Sequence, residues 1–173
     1  MIRVLVVAAL VALWSFAVIA WPDLPEQIPT HFDLQGNADA WDEPGFGSWF
    51  FLPTLATVLG GLLGLALPGW IRSMARRNSS MLNMPQRDKF RALPEEARVR
   101  AVASIAGGIG WLGVTLVAMF GWILYGMNEM AHARWKTLPP LGLFGLVGVV
   151  FAQSIWLAIS SSRAVTREVD AAA

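Results

Sequence analysis

Two histidines, a glutamate and a run of carboxylates are the residues whose chemistry is most readily put to work. His31 and His132 are the only imidazoles in the chain. Glu129 stands three positions before His132, so on a continuing helical turn the two would share a face. Adding His31, with Asp33 or Asp39 beside it, gives a mixed nitrogen and oxygen set of the kind that holds zinc. The set lacks the His-Glu-x-x-His spacing of metalloproteases and draws on two separate segments. The simpler role of His31 is a hydrogen bond within its own segment. Asp33, Asn37, Asp39, Asp42 and Glu43 do not follow the ligand order of a calcium loop, and turn chemistry accounts for them more simply. Residues 22–48 carry six carboxylates and no Lys or Arg, which makes them an electrostatic lure for a cationic peptide.

Other chemistry is hard to find. With no cysteine, disulfides, thiolate metal sites and cysteine nucleophiles are excluded. Serines and threonines lack a positioned base, and no glycine loop of the phosphate-cradling type appears. A non-enzymatic protein is expected, with no cofactor unless zinc occupies the histidine set.

The elements that must position these residues are apolar. Hydrophobic residues make up 55% of the 173 and charged residues 14%, a balance that calls for an apolar solvent. A helix needs about 20 mostly apolar residues to cross the hydrocarbon core. Four runs without Asp, Glu, Lys, Arg or His have about that length: 4–21, 49–71, 101–125 and 141–159. Residues 1–20 also fit a secretory leader, with Arg3 as the positive region, but the spanning reading is favoured. Eight Lys or Arg fall in residues 72–100, Arg3 precedes the first run and Arg163 and Arg167 follow the last. Short loops rich in these residues stay in the cytoplasm. The expected fold is therefore an all-α, four-transmembrane-helix bundle forming a single membrane domain, N-in and C-in. Residues 22–48 and 126–140 lie outside and residues 72–100 inside. The same charges explain themselves through topology, so nucleic acid is not an expected partner. Acids and bases are missing from the spans, which also argues against proton-coupled transport.

Glycines at helical spacing are expected to let the helices approach closely. Gly60, Gly61 and Gly64 stand in the second run, Gly107, Gly110 and Gly113 in the third, and Gly142, Gly145 and Gly148 in the fourth. Gln153 and Ser154 are expected to bond a neighbouring helix. Glu96 and Arg100 are four apart, so residues 88–100 read as a short surface helix.

In the first outer segment, Pro25 and Pro29 hold the chain extended and Gln35, Gly36 and Asn37 signal a tight turn, predicting a small hairpin-like cap. The succession Leu24-Pro25, Ile28-Pro29, His31-Phe32, Gly36, Asp39 and Trp41 resembles the signature of a bacterial membrane family of unknown function. This is the domain at the N-terminus of SdpI immunity proteins, which also signal the presence of a secreted peptide toxin. A weaker likeness extends to Leu82, Asn83, Met84 and Pro85 and to Leu93, Pro94 and Glu95. The resemblance implies a multi-pass protein of the bacterial cytoplasmic membrane whose functional face is extracytoplasmic and which carries no established enzymatic activity. On that reading His31, Phe32, Gly36, Asn37, Asp39 and Trp41 form or shape a surface for a protein or peptide partner. The alternatives are a small structural subunit of a larger membrane complex and a metal-binding protein using His31, Glu129 and His132.

Overall fold

The computed structural model describes residues 1–172. Four of its helical stretches, Ile2–Asp23, Phe51–Arg76, Glu95–Ala131 and Pro140–Asp170, are long and apolar enough to cross a membrane. Helix α1 (Ile2–Ala20) ends in a single 3-10 turn at Trp21–Asp23. Strands β1 (Ile28–Phe32) and β2 (Ala38–Asp42) form a two-stranded antiparallel sheet that pairs Ile28 with Asp42 and Phe32 with Ala38.

Helix α2 (Phe51–Gly61) accepts Pro53 in its first turn, where the missing amide would have had no helical partner. Pro68 is a harder case. Its ring would collide with the carbonyl of Gly64 in an unbroken α-helix, and the backbone widens into a π turn at Leu62–Ala66 before continuing as α3 (Leu67–Arg76).

The single surface helix expected over residues 88–100 is instead two short ones, α4 (Arg87–Ala92) and α5 (Glu95–Ala101). Pro94 forces the preceding residue out of the helical region, and Leu93 is extended at ψ 149°. Nor is this segment free of the bundle. Phe90, Leu93, Ala97 and Ala101 are buried with Ile71, Ala75, Val165 and Val169. Arg100 pairs with Glu168 at 3.0 Å rather than with Glu96. Arg98 bonds the carbonyls of Ala75 (2.9 Å) and Arg76 (3.1 Å), closing the exposed C-terminal end of α3.

Helix α6 (Ala103–Ala131) is the centre of the bundle, in contact with α1, α2, α3 and α7 (Pro140–Asp170). Close approach rests on glycine at specific points. A Cβ on Gly113 would stand 2.9 Å from the Gly64 Cα, one on Gly60 2.5 Å from Val117, and one on Gly110 2.9 Å from Ile2. Gly61, Gly107, Gly145 and Gly148 make no such approach within the chain, since nothing lies within 4 Å of a Cβ placed on them. For the two glycines of α7 the reason is that this helix touches the bundle along a different face, through Gly142 against Trp122 and through Trp156 and Leu157 against Gly108. Gln153 reaches Thr115 on α6 at 2.9 Å, whereas the Ser154 hydroxyl turns back to its own helix at Val150.

Large apolar side chains point away from the protein on α1 (Val4, Val7, Val11, Val18, Ile19) and on α7 (Leu141, Phe144, Phe151, Ile155). In water, so large an uncharged surface would be a strong liability. Lipid removes that cost, and a helix can stand in it because its backbone bonds are internal.

Candidate functional site: the hairpin face

The hairpin, the first turns of α2 and the loop between α6 and α7 meet at one end of the bundle. The turn is organised by Asp33. One carboxylate oxygen accepts the amides of Gln35 (2.9 Å) and Asn37 (2.8 Å), and the other accepts the Asn37 side-chain amide (2.9 Å). These bonds, with the Asn37 side chain foremost, hold the Asp33 carboxyl below its ordinary pKa. Gly36 is buried at φ 83°, a left-handed conformation that disfavours a side chain. Its carbonyl accepts the Leu138 amide at 2.8 Å, and a Cβ at Gly36 would overlap the Leu138 carbonyl.

Three further ties seat the hairpin end. Ile28 and Trp49 are fully buried among Leu13, Ala17, Val117, Leu124 and Met127. The Trp49 indole donates to the Ala17 carbonyl at 2.9 Å, tying the start of α2 to the last turn of α1. His132 ends α6, its Nε2 lying 2.9 Å from the Asp23 carbonyl and its Nδ1 2.8 Å from the Asn128 carbonyl. Around these runs a belt of rings, Trp14, Trp21, Phe46, Phe50, Trp122, Tyr125 and Trp135, with neighbouring centroids 5.0 Å apart at the closest. Such belts suit the boundary between lipid and water.

Among the residues singled out from the sequence, His31, Asn37, Asp39 and Trp41 are exposed on the hairpin, while Phe32 is half-buried and Gly36 buried. His31 Nδ1 and Asp39 Oδ1 form a pair at 2.5 Å, with both side chains largely in solvent. The expected histidine and glutamate trio does not come together. Glu129 is held by a two-pronged bond from Arg134, 2.8 Å at each nitrogen, and both His132 nitrogens face backbone carbonyls. Among the described residues no three His, Cys, Asp or Glu side chains are grouped for a metal. Donating to Glu129 in this way holds the Arg134 pKa above its ordinary value. Sequence reading missed Leu138, Trp49 and Arg134. Leu138, an apolar residue directly before two prolines, was the available signal for a docking point.

A cavity of about 330 Å³ opens between the hairpin and the helices. Its polar side is Thr30, His31, Asp42 and Ser48, and its apolar side includes Phe51, Leu52, Ile123, Met127 and Leu143. The arrangement has room for a large apolar side chain and offers acceptors to a cation beside it.

Fold and site together have the architecture of a small multi-pass membrane protein with a docked two-stranded sheet at one end of its helices. The family model described as a domain of unknown function, DUF1648, matches residues 8–57, which take in most of α1, the whole hairpin and the start of α2. No curated protein and no solved structure matches the chain.

Proposed function

We propose that the chain is a non-enzymatic protein of the bacterial cytoplasmic membrane that recognises a protein or peptide partner through its hairpin face, in the manner of the SdpI immunity and signalling family it resembles. The observation that carries this reading is the way the hairpin is fixed. Its inner residues Ile28 and Gly36 are locked to the bundle, while His31, Asn37, Asp39 and Trp41 are left in solvent beside a partly apolar cavity. Pre-ordering of this kind lowers the entropy cost of binding. The hairpin segment, residues 22–48, bears six carboxylates without Lys or Arg, favouring a cationic partner. Charge distribution supports an N-in, C-in orientation with this face extracytoplasmic, since residues 72–100 hold eight of the thirteen Lys and Arg.

The chain has no cysteine, so a single Gln35→Cys or Arg87→Cys gives a unique label. In intact cells stripped of outer layers, an impermeant thiol reagent should label Gln35→Cys at once and Arg87→Cys only after lysis. Labelling of both together would remove the orientation. A photo-reactive residue at Trp41 should then give a discrete protein cross-link in cells. The second reading, a subunit of a larger membrane complex, is favoured by Gly145 and Gly148, which face outward with nothing against them. Protein cross-links from position 149 on α7 with none from Trp41 would transfer the function to that reading.

A further inference from the structure

At the opposite end of the molecule, we propose that the groove between the start of α6 and the last turns of α7, where Arg163 and Arg167 stand beyond Trp156 and Ile159, binds the phosphate headgroup of an anionic glycerophospholipid. A cavity of about 290 Å³ is lined there by Ser104, Trp156, Ile159, Ser160, Arg163 and Arg167, with Ala164 between the arginines. The site is independent of the hairpin face and of which side of the membrane it occupies. It depends only on α7 crossing lipid.

The order of the lining residues is that of a lipid molecule read from tail to head. Trp156 and Ile159 belong to the uncharged part of α7 and are exposed, so acyl chains can lie along them. The hydroxyl-bearing Ser160 comes next, and the two guanidinium groups follow one turn apart on one face. From Trp156 to Arg167 the helix rises about 16 Å, enough to carry a ligand from the hydrocarbon to the headgroup layer. The cavity is too small for a whole lipid but suits a phosphate with its glycerol.

Its charge is not neutralised from within. Arg163 has no carboxylate partner among the described residues. The Arg167 guanidinium lies 3.8 Å from Glu168, whose other oxygen already accepts two bonds from Arg100 at 3.0 and 3.1 Å. Asp170, the remaining carboxylate near this face, is exposed beyond the arginines. On the α6 side the Ser104 hydroxyl is enclosed without any partner, a donor that a side-chain rotation would turn toward a phosphate oxygen. Two arginines repel the quaternary ammonium of a zwitterionic headgroup and accept the net negative charge of an anionic one. The apolar wall of Trp156 and Ile159 favours a lipid over free phosphate.

The test is native mass spectrometry of the full chain, delipidated in mild detergent and offered phosphatidylglycerol or phosphatidylcholine with identical acyl chains. A basic side chain near a headgroup favours binding by about fivefold, so two should give about a 25-fold preference for phosphatidylglycerol. Arg163→Gln alone should cut that preference about fivefold, and because Arg163 makes no ion pair among the described residues this variant leaves the fold intact. Arg163→Gln with Arg167→Gln should abolish it, whereas Arg87→Gln with Arg91→Gln should leave it unchanged. Equal retention of both lipids by the wild type, or an unchanged preference in Arg163→Gln, overturns the proposal. Displacement of phosphatidylglycerol by millimolar inorganic phosphate would overturn the lipid assignment in favour of a soluble anion.

Discussion

Replacing Gly36 with alanine tests the claim that the hairpin is a fixed part of the bundle. Gly36 sits at φ 83°, where a side chain costs about 1–2 kcal/mol against the following carbonyl. A Cβ there would also overlap the Leu138 carbonyl, so the variant cannot keep the present approach between turn and loop. Separation breaks the 2.8 Å bond from the Leu138 amide to Gly36, and Leu138 is 2% exposed. Leaving such a buried donor unpaired costs about 1–3 kcal/mol. The two terms together give about 2–5 kcal/mol against docking. At a factor of ten per 1.4 kcal/mol, hydrogen exchange at the Leu138 amide should accelerate about 30- to 4000-fold. The measurement is residue-resolved exchange of the detergent-solubilised protein, wild type against Gly36→Ala. Amides in the middle of α1 and α6 should be unaffected, since neither contacts Gly36. An acceleration at Leu138 below about tenfold, or an equal acceleration throughout the helices, would refute the reasoning.

Trp49→Phe should lower stability by about 2–4 kcal/mol, combining a lost buried hydrogen bond with a smaller ring, and is read from thermal unfolding in detergent. Arg98→Lys keeps the charge but loses the planar fork that serves the carbonyls of Ala75 and Arg76. It should loosen the α3–α5 contact by about 1–2 kcal/mol, seen as faster exchange in α5 with the hairpin unchanged. Asp33 has a folded pKa below its unfolded one, so its contribution to the turn is complete above the ordinary aspartate range and is lost as pH falls through the depressed value. The Asn37 amide resonance should follow that loss, and Asp33→Asn should remove the acid-dependent step. Glu129→Gln should release the loop at Arg134, lowering the unfolding temperature more than Glu26→Gln, because Glu26 makes no ion pair among the described residues.

Much of this architecture is legible without coordinates because lipid imposes a simple rule. Uncharged runs of spanning length occur four times and the structure contains four such helices. The two-stranded sheet follows as directly from Pro29, the turn at residues 35–37 and the short runs on either side. Hydropathy reports only that a helix lies in lipid, however, and not which of its faces meets a neighbour. Gly60, Gly64 and Gly110 therefore lie at close contacts while Gly107, Gly145 and Gly148, identical in type and similar in spacing, look outward.

Side-chain partnership was likewise decided in three dimensions. Glu129 and His132 share a helix end as their spacing requires, and their side chains engage Arg134 and the Asp23 carbonyl. Leu138 becomes a docking point only because the loop after α6 returns to the Gly36 turn more than a hundred positions earlier in the chain. Sequence alone determined the number of spanning segments, the asymmetry of charge and the turn chemistry, since each depends on residues adjacent along the chain and on the solvent around them. Tertiary structure decided the glycine contacts, the ion pairs and the seating of the hairpin, since these depend on which distant surfaces meet.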